Sequence, residues 1–508
     1  MTAQGTLWSA LAARPDAATA LAAPGRPPLS HGDLRTLIRD TVAALNARGI
    51  GRGDRVAIVL PNGPEMAAAF LAIGAGAVTA PLNPDYREEE FDLYLSDLAP
   101  KALVIEAGMD NPARTAAGRR GIPIIELRPD AGKPAGWFGL TTDAAAGTPA
   151  AGGMAAPDDI ALLLHTSGTT SRLKLVPLSQ RNITSSARHI GATLALTPAD
   201  RCLNIMPLFH IHGLIGAVLS SLAAGGSVVC TSGFNALRFF AWLDEAAANW
   251  YSAVPTMHQA ILARAERNRE IIARRRLRLI RSSSAPLPSP VMAELEAVFG
   301  CPVIESYGMT ETSHQMTSNP LPPQTRRAGT VGLAAGPDVA VLDEDGRPLP
   351  AGAVGEVAVR GPNVTAGYVA NPAANAAAFT DGWFRTGDQG VLDADGYLTI
   401  TGRLKELINR GGEKISPREV DDLLMSHPAV AQAVTFALPH DKLGEEVAAA
   451  IVLRAGKSAT ECELRDFVSA RLADFKVPRK VVFLAEIPKG ATGKPQRIGL
   501  AAKLGLTA

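Results

Sequence analysis

Aromatic side chains make up only 5% of these 508 residues, so the apolar content of 47% is carried mainly by alanine, leucine and valine. Charge of one sign is also missing: Lys+Arg number 50 against Asp+Glu 49, for a formal charge of +1. That balance gives no electrostatic reason to expect nucleic acid or an anionic membrane as partner. No uninterrupted apolar run is long enough to span a bilayer. Met1 to Leu11 has no cationic region followed by an apolar core, so no secretory signal is expected, and Leu506-Thr507-Ala508 is not a peroxisomal tripeptide. Cysteine is scarce, and Cys202, Cys230, Cys301 and Cys462 stand too far apart for a metal-ligand pattern. They read as small hydrophobes in a reducing compartment. The expectation is a soluble, cytoplasmic, multidomain protein acting on small molecules, with monomer and homodimer both open.

What is present is alternation. Asp33 to Arg48 is helical in period and stops at Gly49; Arg55 to Leu60 is a short apolar run closed by Pro61-Asn62-Gly63. Glu65 to Gly74 predicts a helix and Ala77 to Leu82 a strand, the order of a parallel α/β sheet. Ala145 to Pro157 reads as a surface connection, and a second unit opens with the strand Asp159 to Leu164. Further strands are expected at Ser227–Cys230, Trp250–Val254 and Leu277–Ile280. Beyond about residue 330 short strands alternate with Asp/Gly turns, as in Val339 to Gly346, Gly355 to Arg360 and Gly390 to Tyr397. From Arg418 the pattern is helix, strand, hairpin, strand, helix, enough for a small α+β domain, and the junction is placed in Gly402 to Glu406.

Several segments carry chemistry. Thr166-Ser167-Gly168-Thr169-Thr170-Ser171-Arg172-Leu173-Lys174 follows an apolar strand and is dense in hydroxyls. Such a loop offers N–H and hydroxyl donors to phosphate oxygens, with Lys174 adding charge. It lacks the G-x-x-x-x-G-K-[ST] pattern, and loops of this composition are more often surface turns. In Glu305-Ser306-Tyr307-Gly308-Met309-Thr310-Glu311 the last carboxylate suits Mg²⁺, Thr310 a phosphate, and Tyr307 the face of a purine. Thr386-Gly387-Asp388 and Gly402-Arg403 suit a ribose; alone they are ordinary Gly-Asp turns. Arg410-Gly411-Gly412 lets backbone approach a ligand, ahead of a helix expected to be capped by Ser416 with Pro417 first. Pro207 to Gly213 holds two histidines, His210 and His212, and Gly490 to Arg497 holds a glycine-flanked Lys494.

Taken together and in this order, these segments resemble the adenylate-forming acyl-CoA synthetase superfamily over nearly the whole chain. The resemblance implies an α/β fold. A large N-terminal domain (1–403) would hold α/β subdomains and a small β-barrel-like part, and a small mobile α+β domain (405–508) would turn about a hinge at Lys405. It implies ATP, Mg²⁺ and coenzyme A as cofactor and co-substrates: a carboxylate takes AMP from ATP, and the thiol of coenzyme A then displaces AMP. By that resemblance Lys494 bridges the acid and the α-phosphate. The segment Thr166, Ser167, Gly168, Thr169, Thr170 and Lys174 holds the outer phosphates, with Thr310 beside them and Glu311 on Mg²⁺. Tyr307 lies against adenine with Ser306 and Gly308 also in the ATP/AMP site, Asp388 and Arg403 hold ribose, and Arg410, Gly411 and Gly412 line the pantetheine channel.

Within the superfamily, His165 to Arg172, Arg281-Ser282-Ser283-Ser284 and Thr312 to Pro322 resemble the oxalate–CoA ligases. Malonate ligases are similar here but carry arginine where this chain has Ser306. His314, Ser284 and His210 are the candidate donors to a second carboxylate. Ligases for malonate, short-chain or hydroxy acids, and an inactive ATP-binding homologue, are the alternatives. One departure stands out: where the family has proline, lysine, glycine, this chain has Leu173-Lys174-Leu175, which puts the phosphate grip in question.

Overall fold

The computed structural model describes residues 5–12, 14–143, 145–166, 174–488 and 497–506. Lys494 and the segment 167–173 therefore lie outside the described residues. The chain divides into two compact units. The first holds Met1–Leu287, Val291–Val339 and Val359–Phe384, and the second Pro288–Pro290, Ala340–Ala358 and Arg385–Ala508. The expected junction at Gly402 to Glu406 falls inside the second unit, which also holds the antiparallel pairing of Asp388 to Leu392 with Leu398–Arg403.

Two sheets organise the first unit. One runs Phe138–Thr141, Ile124–Pro129, Ala102–Glu106, Arg55–Val59, Val78–Pro81, Ile160–Thr166 and Lys174–Ser179, parallel except for its two outermost strands. The inner strands are short apolar runs because both faces are covered. Arg55–Val59 is buried from Val56 onward, as its unbroken hydrophobicity requires. The second sheet runs Leu333–Ala334, Thr317–Ser318, Val303–Tyr307, Leu279–Ser282, Trp250–Ala253, Arg201–Asn204, Ser227–Cys230, Thr19–Ala23 and Arg26–Ser30. Its middle strands, from Val303–Tyr307 to Thr19–Ala23, are parallel.

Helices follow from the local code. His31–Asn46 starts where Ser30 Oγ accepts from Asp33 N–H, and it buries Leu34, Leu37, Ile38, Thr41, Val42 and Leu45 at helical spacing. Pro64–Gly74 begins with proline, a residue that needs no N–H there, and is buried on nearly every side because it packs against strands of both sheets. The expected strands 227–230 and 250–254 appear as Ser227–Cys230 and Trp250–Ala253.

In the second unit Gly444–Leu453 lies between Val430–His440 and the parallel strand Lys480–Phe483, and also pairs with Ile408–Arg410. Its side chains alternate. Val447, Ala449 and Ile451 pack under helices Pro417–Met425 and Glu461–Ser469, while Ala448 and Ala450 meet Leu500 and Ala501 on the other face. Among the described residues no helix is long and apolar enough to cross a membrane.

Candidate active site

Four neighbouring parallel strands of the larger sheet end at one edge, where ligands of open α/β sheets are held. Beyond Arg201–Asn204 comes His212; Ser252 stands on Trp250–Ala253; Ser284 follows Leu279–Ser282; His314 follows Val303–Tyr307. The chain brings these four together. His212 Nδ1 lies 3.0 Å from Ser284 Oγ and its Nε2 2.6 Å from Ser252 Oγ. Its ring stacks on that of His314 at 4.7 Å. Arg281 donates from Nη1 to His314 Nε2 at 2.8 Å and from Nη2 to Gln315 Oε1 at 3.1 Å.

Backbone strain marks the same place. Ser284, Ser313 and His314 all have positive φ, at 71°, 53° and 100°, which side-chain-bearing residues adopt only when their surroundings enforce it. The enforcing contacts are visible: Asn363 Nδ2 donates to the carbonyls of Thr312 and Gln315, and Ser313 Oγ donates to that of Asn363. Gly308 is required by closeness, since a Cβ there would sit 1.3 Å from the His314 carbonyl oxygen. Gly216, in the π-helical segment His212–Leu219, lies under the His314 ring, and a Cβ there would come within 2.6 Å of it. π-Helical turns of this kind concentrate at functional sites.

Of the two histidines in this segment, His212 meets Ser284 and His314. His210 is half-buried with its ring against Phe209 at 4.6 Å. Ser306 is buried with its hydroxyl 3.4 Å from the Ser282 carbonyl. Tyr307 is half-buried at the end of its strand, and Thr310 opens the 3-10 turn Thr310–Thr312.

The segment expected to hold phosphate borders the smaller sheet. Thr166 and Lys174 face each other across the pair Ile160–Thr166 and Lys174–Ser179, flanking the hydroxyl-rich segment. Ser167, Gly168, Thr169 and Thr170 of that segment lie outside the described residues. The Lys174 ammonium sits 4.4 Å from the centre of the Tyr368 ring, and the Tyr368 hydroxyl donates to Glu311 Oε1 at 3.0 Å. Tyr368 was not legible as a site residue; it joins Lys174 to Glu311. Burial, with the Glu311 charge beside it, pushes its phenol far up, so it remains a donor. Leu175, where the family has glycine, is buried among Ala57, Val59, Val78 and Leu163 and serves as a core residue of its strand. Leu173 lies outside the described residues.

Among the described residues no three His, Cys, Asp or Glu side chains converge on a metal position. Glu311, 5% exposed, offers a single carboxylate. That donor set fits Mg²⁺ held mainly by nucleotide phosphates and water, the ion's usual manner of binding.

Within the second unit Asp388 and Arg403 are register partners, with Arg403 Nε donating to Asp388 Oδ1 at 3.0 Å. Asp388 is nearly buried, and Arg403 is half-exposed. Gly411 and Gly412 turn the hairpin between Ile408–Arg410 and Glu413–Ile415 with φ of 61° and 99°, where side chains are strained. Arg410 is paired with Glu446 at 2.5 Å, which raises its pKa further. Pro417 is first in its helix as expected, while Ser416 at the cap donates its hydroxyl to the Thr401 carbonyl rather than capping the helix. Lys405 is exposed. Arg497, shortly after Lys494 in sequence, pairs with Asp421 at 2.7 Å and Glu406 at 3.2 Å.

The model of the AMP-binding enzyme family matches residues 7–369, and that of the AMP-binding enzyme C-terminal domain matches 419–494. The chain belongs to this family of adenylate-forming enzymes. It is 45% identical to the oxalate–CoA ligase of Arabidopsis thaliana, covering 94% of each chain. It is 44% identical to the oxalate–CoA ligase of Saccharomyces cerevisiae, over 92% of this chain and 90% of that one. Among solved structures, ATP-bound MatB from Rhodopseudomonas palustris matches with a TM-score of 0.87 at 31% identity, covering 98% of both chains.

Proposed function

We propose that this chain ligates oxalate to coenzyme A in the cytoplasm, with ATP and Mg²⁺. The reaction class is set by the family: the chain is an ATP-dependent, AMP-forming acid–CoA ligase. In the first step a carboxylate oxygen attacks the α-phosphorus and the bond to pyrophosphate breaks. In the second the thiol sulfur attacks the acyl carbon, the C–O bond to AMP breaks, and the thiol proton goes to solvent. Adenylation places negative charge on the oxygens around the α-phosphorus and on the departing pyrophosphate, so fixed cations and donors account for most of the catalysis.

The observation that carries oxalate is the polar cluster at the strand ends. His212, Ser252, Ser284 and His314 are gathered with the Arg281 guanidinium behind them. A chain of hydroxyl and imidazole groups backed by one positive charge suits a short acid with a second carboxylate and offers nothing to an alkyl tail. Ser306 in place of arginine favours oxalate over malonate. Lys174 and the neighbouring hydroxyl loop are assigned to the outer phosphates, and Glu311, supported by Tyr368, to Mg²⁺, which when bound neutralises phosphate charge. Tyr307 and Gly308 are assigned to adenine, and Asp388 with Arg403 to ribose. Lys494 is the adenylation cation, Lys405 the hinge, and Arg410, Gly411 and Gly412 border coenzyme A in the second step. Pyrophosphate release measured with a panel of acids tests the reading: signal with oxalate and little with malonate supports it, and signal with propionate alone overturns it.

A further inference from the structure

Arg281 is 0% exposed in the middle of the larger sheet. Its hydrogen-bond acceptors, His314 Nε2 and Gln315 Oε1, are both uncharged, and no Asp or Glu among the described residues pairs with it. Its Nε is buried with no hydrogen-bond partner among those residues. Burial lowers its pKa to about 9, which still leaves it protonated at neutral pH. Buried arginines ordinarily answer a carboxylate directly, because an uncompensated interior charge is strongly unfavourable. This one instead holds an imidazole at the substrate edge. Since Arg281 can only donate, His314 Nε2 must accept; the His314 proton is then on Nδ1 and the ring is neutral. Arg281 therefore brings one buried positive charge to the network that runs through His314 to His212 and Ser284.

We infer that Arg281 is a specificity-determining positioning residue whose buried charge, passed on through His314, is answered by the second carboxylate of the substrate, so that the site selects dianionic acids over monoanions of the same shape. The inference rests on the dicarboxylate reading above. It adds a charge criterion, which shape and hydrogen bonding alone would not impose.

Oxamate, the monoamide of oxalate, has nearly the same shape and one charge fewer, so it separates charge from fit. Acid-dependent ATP–pyrophosphate exchange is measured with both acids for the parent, Arg281→Gln and Arg281→Lys. The parent is expected to favour oxalate. In Arg281→Gln, kcat/KM for oxalate is expected to fall about 10–150-fold, the size of one charge-assisted hydrogen bond, chiefly through the acid KM and with the ATP KM unmoved. Oxamate should change little, and Arg281→Lys should keep the preference for oxalate. A merely structural arginine would lower both acids together, and that result overturns the inference. So does a parent that treats the two acids alike, a measurement that needs no variant to fold. A parent active on oxalate but indifferent to oxamate's missing charge sinks this inference alone; one active only on monocarboxylic acids sinks the dicarboxylate reading and this inference with it.

Discussion

Gly216→Ala puts a methyl group where the His314 ring now lies. The added Cβ would stand 2.6 Å from His314 Cδ2 and Nε2 and 3.2 Å from His212 Cδ2. Reaching an ordinary contact of 3.4 Å requires a ring shift of about 0.8 Å. The ring has little freedom, being stacked on His212 and held by Arg281 at 2.8 Å. A displacement of that size is enough to break the Arg281 bond, which at about 1.5–3 kcal/mol predicts a rise of about tenfold or more in the acid KM. Overpacking costs about 1–3 kcal/mol, partly offset by the ~0.5–1 kcal/mol that alanine gains over glycine in a helix. The variant should therefore fold, with net destabilisation of at most about 2.5 kcal/mol in urea titrations. Steady-state pyrophosphate release with acid and ATP varied in turn is the assay. A folded variant with an unchanged acid KM would refute the placement of the acid against His314.

Other consequences follow from single contacts. Tyr368→Phe removes the donor on Glu311 and should weaken binding of the Mg–ATP complex by about 1.5–3 kcal/mol, read as a higher ATP KM at limiting Mg²⁺ with the acid KM steady. Arg497→Ala leaves the buried Asp421 without its cation and should cost roughly 3–5 kcal/mol in chemical unfolding of the second unit. His258 is fully buried and burial lowers its pKa to about 3, against 6.5 for the free side chain. It is neutral in the folded chain and binds a proton on unfolding, so its contribution to stability is complete above pH 6.5 and is lost as pH falls toward 3. The slope is about 1.4 kcal/mol per pH unit for this one group. His258→Gln should flatten the decline measured by denaturant titration between pH 7.5 and 5, and an equally steep decline would count against it.

Much of the scaffold was legible because the inner strands read as unbroken apolar runs and the covering helices as 3.6-residue stripes. Strands such as Arg55–Val59 and Ser227–Cys230 fall where the hydrophobicity puts them. The motif segments stand out in the sequence because each combines glycine with hydroxyl or charged residues. Which side chains meet was not legible. His210 and His212 are equivalent in sequence, and the π-helical start at His212 decides which one turns toward Ser284. Arg281 read as part of a motif, with no sign that its guanidinium would be buried against His314, because that contact joins one strand to the segment following its neighbour, and the pairing of those strands is tertiary. Tyr368 sits in a segment with no chemical pattern of its own and acquires meaning only by reaching Glu311. Leu175 reads as damage to a phosphate loop, whereas a strand buried on that face accepts leucine as core.

The most direct test of the account uses oxalate labelled with ¹⁸O in both carboxylates, incubated with ATP, Mg²⁺ and coenzyme A, followed by mass analysis of the nucleotide. An acyl-adenylate forms through a carboxylate oxygen, and that oxygen departs with AMP when the thiol attacks. The expected products are oxalyl-CoA, pyrophosphate and AMP carrying one ¹⁸O. Formation of ADP and phosphate, or of AMP without label, would contradict it.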